Sequence, residues 1–189
     1  MLTRSQIVQY ATAALTAANT MAATRIWAPR DWSTNGADYP GILVQCFRTR
    51  KESRAKGSQL PQFVATPILT VIGRLQVAGT DETAAATATD QLEAFEWQIE
   101  QAILTNQSLL QNIRRFSFVD SDGGVTANGR YHIGEIQINF GLEFEVDIDP
   151  FTQAPASVPP IAVPLEEVKL TYEMPAGTTE PGIDITLPQ

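Results

Sequence analysis

The sequence predicts an α+β protein: a mixed or antiparallel β-sheet flanked by helices, followed by an extended Pro-rich C-terminal arm carrying short strands. Three observations predict it. Between residues 135 and 148, Ile136, Ile138, Phe140, Leu142, Phe144, Val146 and Ile148 alternate without a break with polar residues or glycine, the two-residue period of a strand with one buried face. Between residues 80 and 104, Ala88, Leu92, Phe95, Ile99 and Ile103 recur at steps of three and four, the period of a helix. Eight of the 12 prolines then lie from Pro150 onward, where a packed domain gives way to extended chain. Residues 1–150 are accordingly one α+β domain, and residues 151–189 a separate arm.

The elements follow in order. Residues 5–18 form an Ala-rich helix with Ile7, Tyr10, Ala14 and Leu15 near one face, and Thr3 or Ser5 can cap it. A loop rich in aromatics, with Trp27, Trp32 and Tyr39, spans residues 25–40 and contains an Asn35-Gly36 turn signal. A short apolar strand over residues 42–47 leads into a basic loop. Arg48, Arg50, Lys51, Arg54 and Lys56 place five of the 13 basic residues within nine positions. Residues 63–77, rich in Val, Ile, Leu and Thr, make the second strand, with Pro61 and Pro67 holding its start near an edge or a bulge. Thr80 is the expected cap of the long helix, with Asp81 and Glu82 in its first turn, where the helix dipole favours negative charge.

Residues 109–118 read as a further strand or the approach to one, and Asp120-Ser-Asp-Gly-Gly as a turn. Asn128-Gly129 is a hairpin signal just ahead of the alternating strand. At ~3.3 Å per residue its 13 alternating residues span roughly 43 Å, so its far end is expected to project from the body and meet another copy. In the arm, residues 168–172 and 183–187 look like short strands around a turn-rich stretch.

Composition narrows the function. Apolar residues make up 43% of the chain, enough for a packed core. The net charge of −8 argues against nucleic acid as the main partner, because phosphate binding needs concentrated Lys and Arg. No stretch approaches the ~20 apolar residues of a membrane span, the N-terminus lacks a signal-peptide pattern, and a reducing cytoplasm is the expected compartment. The single cysteine, Cys46, lies in an apolar run and reads as a small core residue.

Motifs for chemistry are scarce. His132 is the only histidine, with no Cys or second His to complete a zinc set and no Gly-x-Ser-x-Gly elbow elsewhere. Asp120-x-Asp122-Gly123 opens like a calcium loop, but the later ligands and the closing Glu are missing. No nucleotide-binding glycine pattern occurs, so no cofactor is expected. Glu143, Glu145 and Asp147 share one strand face, successive carboxylates ~6.6 Å apart, too evenly spread to converge on a metal or a scissile bond. The alternative to a solvated face is an acidic surface shown to a partner or to the lumen of a ring. The cations Arg48, Arg50, Lys51, Arg54 and Lys56 are its expected counterpart on a neighbouring copy.

The order of parts carries a resemblance. A helix precedes the strand Gly41-Ile-Leu-Val-Gln-Cys-Phe, then come a basic loop, the strand Thr66-Pro-Ile-Leu-Thr-Val-Ile-Gly-Arg-Leu, a helix opening at Asp81-Glu82, and the strand Gly134-Glu-Ile-Gln-Ile-Asn-Phe-Gly-Leu-Glu-Phe-Glu-Val. Over residues 3–150 this resembles the tail terminator, or tail-completion, proteins of long-tailed bacteriophages. The resemblance rests on element order and character, and the Pro-rich arm is longer than the family pattern. It implies a hexameric ring, with no catalytic residues, that caps the head-proximal end of the tail tube, ends its polymerisation and offers a docking surface to the head. The implied partners are other copies of the chain, the tail tube protein and the head–tail connector or neck proteins. DNA would pass through the lumen without sequence-specific binding. The implied location is the virion, after assembly in the host cytoplasm. Two alternatives remain: another structural part of the same machine (a neck, tube or baseplate subunit), or a small hydrolase using His132 or the carboxylate row.

Overall fold

The computed structural model of the protein describes residues 2–28, 38–54, 62–147, 168–170 and 183–185. The chain divides into two compact units, Met1–Ile148 and Asp149–Gln189. The first holds helix α1 (Arg4–Ala17), strands β1 (Ile26–Trp27), β2 (Gly41–Ser53) and β3 (Gln62–Ala78), helices α2 (Glu82–Leu104) and α3 (Gln107–Leu110), and strands β4 (Arg115–Asn128) and β5 (Tyr131–Asp147). The second contains β6 (Val168–Leu170) and β7 (Ile183–Ile185), which pair antiparallel with each other. The class is α+β, with a mixed sheet.

Helix α1 begins where a capping box places it. Thr3 Oγ1 accepts the backbone N–H of Gln6, and the Gln6 side chain accepts the N–H of Thr3 in return. Its buried residues Ile7, Ala11, Ala14 and Leu15 follow the three-to-four spacing. Helix α2 buries Ala88, Leu92, Phe95, Ile99 and Ile103, the stripe legible in the sequence, but starts one residue later than expected. Asp81, not Thr80, is the cap, its carboxylate accepting the N–H of Ala84 at 3.0 Å.

The five strands lie in the order β1-β2-β3-β5-β4. All pairs are antiparallel except β1 on β2, a two-residue parallel bridge that the aromatic loop did not announce. β5 buries Ile136, Ile138, Phe140, Leu142, Phe144 and Val146 on one face, as its alternation requires. Gly73 on β3 shares that face and admits α2 closely; a Cβ there would stand 2.9 Å from the Phe95 ring. The hairpin joining β4 to β5 turns at Gly129-Arg130, one residue past the expected Asn-Gly pair. Gly129, with φ +61°, takes the left-handed first position.

Two expectations are corrected and a third is narrowed. The residues of the basic loop that are described do not leave the sheet: β2 continues through Arg48, Arg50 and Lys51 to Ser53, paired with β3 throughout. Asp120-Ser-Asp-Gly-Gly is not a turn but the middle of β4, with Asp120 opposite Asn139 and Asp122 opposite Gln137. The apolar stretch before it holds the short helix α3 and β4 starts only at Arg115, because Asn106 caps a helical turn. The far end of β5 is flanked by β3 to Asp147, and β3 by β2 in turn.

Pro67 is a partial case. It sits within β3, an interior strand, opposite Thr49 of β2. Toward β5 the ladder skips from Ala65–Phe144 to Ile68–Gly141. Proline has no N–H to give, so the rungs beside it are missing. Irregularities flank the same place, between Gln45 and Arg48 in β2 and between Phe116 and Phe118 in β4.

Candidate interaction surface

The sheet has two unlike faces. Leu92, Phe95 and Ile99 of α2 close on Gly73, Leu75, Gly134 and Ile136. On the same face α1 brings Ile7 beside Ala65, Pro67 and Phe144, and Arg4 Nε donates to Thr49 Oγ1 at 3.1 Å. Among the described residues no helix covers the other face. There Thr70 Oγ1 donates to Asn139 Oδ1 at 2.8 Å, and Arg74 Nε donates to Glu135 at 2.7 Å across the β3–β5 register. A groove of about 380 Å³ runs over this open face, lined by Arg48, Arg50, Val64, Ile68, Phe118 and Glu143 among others.

The predicted acidic row is largely engaged within its own chain. Glu143, with its side chain 9% exposed, receives a two-pronged grip from Arg115: Nε to Oε1 at 3.1 Å and Nη2 to Oε2 at 3.0 Å. That hydrogen bond, and then the charge of Glu143, hold the Arg115 guanidinium above its ordinary pKa. Glu145 accepts from Arg54 at 2.7 Å and from Arg114 at 3.3 Å. A buried carboxylate needs such partners, because desolvating an unpaired charge is costly. Glu143 is therefore a structural carboxylate, whereas Glu145 is ion-paired but remains exposed on the open face. Asp147 ends β5 opposite Gln62; its side chain, like Lys56, lies outside the described residues.

Of the basic residues, Arg54 is brought to Glu145 and Arg50 to Glu52 at 2.7 Å, both pairs well exposed. Arg48 and Lys51 are exposed and make no ion pair among the described residues. Arg48 and Arg50 project on the open face, in register with Ile68 and Thr66. Lys51 projects on the helix side, opposite Ala65.

Sequence reasoning missed the other edge. β4 is an edge strand of 14 residues, exposed over most of its length, with Phe118 at 40% and Val119 at 39% exposure. Asp120 and Asp122 are exposed on it and make no ion pair among the described residues. Their pairing with Asn139 and Gln137 puts them on the open face, the same face as Arg48 and Arg50. The hairpin signal at Asn128-Gly129 was the available clue, since a hairpin needs a strand before it as well as after.

His132 is 8% exposed, near the hairpin end of β5. Cys46 is buried beside α1, and burial pushes its thiol pKa up despite the nearby Arg4. Among the described residues no three His, Cys, Asp or Glu side chains gather as a metal site, and no helix is long and apolar enough to cross a membrane. Comparison with known family models and with curated proteins finds no match.

Proposed function

We propose that the protein is a structural, non-enzymatic subunit of a long-tailed bacteriophage: a tail terminator that forms a hexameric ring on the head-proximal end of the tail tube. The ring ends tube growth and offers a docking surface to connector or neck proteins; the finished virion is where it resides. The observation that carries this reading is the architecture. Long strands form one sheet, and among the described residues the helices keep to one face, leaving an open face and two edge strands on which other subunits can add. The element order from α1 through β5, on which the resemblance to tail terminators rests, supports the same reading.

The mechanism is geometric. One surface of the ring matches the last tube ring, and the opposite surface does not repeat it, so polymerisation stops. Mixing purified protein with terminator-free tail tubes and imaging by electron microscopy tests this. Rings seated at one tube end, with tubes that no longer elongate, are the expected result. Continued elongation with tube ends bare would remove the reading. Self-polymerisation into tubes would instead favour the second structural role, a tube subunit.

A further inference from the structure

The two long edges of the sheet are complementary, and we infer that they join: the outer edge of β4 in one copy pairs antiparallel with the outer edge of β2 in the next, continuing the sheet head to tail. This rests on the ring reading above and names the surface that builds the ring.

Three independent features agree. The first is strand sense. β2 and β5 run one way, β3 and β4 the other, so a second copy placed beside β4 in the same orientation presents its β2 antiparallel. The second is availability. Among the described residues, β2 is paired on its outer side only with β1, at Ile42 and Leu43, and β4 is paired only with β5. An unpaired edge of this length is a template for another chain.

The third is charge. From Phe116 to Asn128, β4 carries Asp120 and Asp122 and no Lys or Arg, whereas residues 48–54 carry Arg48, Arg50, Lys51 and Arg54 against one Glu52. Asp120, Asp122, Arg48 and Arg50 all project on the open face, and continuing the sheet keeps that face common to both copies. An antiparallel register that sets Asp120 opposite Arg50 also sets Asp122 opposite Arg48. Directly opposed unlike charges favour a strand pair and like charges oppose it. A two-fold pairing of β2 with β2 centred on Thr49 would set Arg48 against Arg50, and β4 on β4 centred on Ser121 would set Asp120 against Asp122. Charge therefore selects the head-to-tail joint, and a head-to-tail joint that closes is a ring. Phe118 and Val119, exposed in the middle of β4, gain cover in the joint.

Charge reversal of the full chain tests it, with mass read by native mass spectrometry and light scattering, and folding by circular dichroism and melting temperature. Asp120→Lys with Asp122→Lys, and separately Arg48→Glu with Arg50→Glu, should each raise the concentration for half-assembly roughly tenfold or more at low salt. Each should leave the melting profile of the dilute monomer nearly unchanged, since all four residues are exposed. Combining the four substitutions in one chain should restore assembly, because the reversed edges match again. If the four-fold variant assembles no better than either pair, the joint is wrong. If only the β4 pair has an effect and the particle is a dimer, the two-fold joint replaces it. Rings that cap tubes normally while ignoring every reversal would overturn this joint and leave the proposed function standing. A wild-type chain that stays monomeric and binds no tube end would remove both.

Discussion

Glu143 shows how a residue that looks like surface becomes part of the framework. Its alternation with Leu142 and Phe144 puts it on the open face, yet the neighbouring side chains bury it, and only Arg115 makes the buried charge tolerable. Arg114, at 3.9 Å, is too distant to replace that grip. Arg115→Ala is therefore expected to lower the melting temperature clearly more than Arg50→Ala, whose exposed partner Glu52 can turn to water. Adding Glu143→Leu to Arg115→Ala should recover most of the loss. Equal losses for the two arginines, in thermal melts, would contradict this account. Glu100 illustrates the opposite sign. Burial first, and the charge of Glu96 second, raise its pKa. A raised carboxyl pKa means that the folded state favours the protonated form. The contribution is thus full below the ordinary carboxylate pKa and is lost as pH rises through the folded value. Glu100→Gln should then stabilise the protein slightly at pH 7, within about 0.5 kcal/mol, and have no effect near pH 3. Urea titrations at the two pH values measure the difference.

Elements with one buried face were legible in the sequence, and elements without one were not. The stripe on α2 and the alternation on β5 are imposed by the core and survive into the fold almost residue for residue. β4 has no such face. It is an edge strand templated by β5, so Asp120, Asp122 and two glycines cost it little, and the same letters read as a turn. The charged end of β2 reads as a loop in the sequence for the same reason. β1 is two residues long and rests on tertiary pairing that no local pattern carries. Of the candidate surface, the sequence showed the cations and the carboxylate row, but not that Arg115 grips Glu143 within the chain, and it hid the aspartates of β4. The cap of α2 gives a test at this scale. Asp81→Ala is expected to cost about 1 kcal/mol, and Thr80→Ala only a few tenths, since Asp81 holds the N–H of Ala84. Gly73→Ala, by forcing a methyl against Phe95 and Ile99, should cost about 1–3 kcal/mol. Chemical denaturation of each variant checks both orders.

At the scale of the whole molecule, the proposed role is addition to neighbouring subunits. Among the described residues the helices cover one face of the sheet, with cations on the β2 edge and aspartates on the β4 edge. A ring built on such edges should loosen as salt screens them, so half-assembly should need more protein at 1 M than at 0.1 M NaCl, as light scattering can follow. The chain is proposed to close into a ring that ends a tail tube. Electron microscopy of the purified full chain, alone and with terminator-free tubes, measures it directly. The account predicts closed six-fold rings, and one ring at one end of each tube. Monomers or two-fold dimers that leave tube ends bare would contradict it.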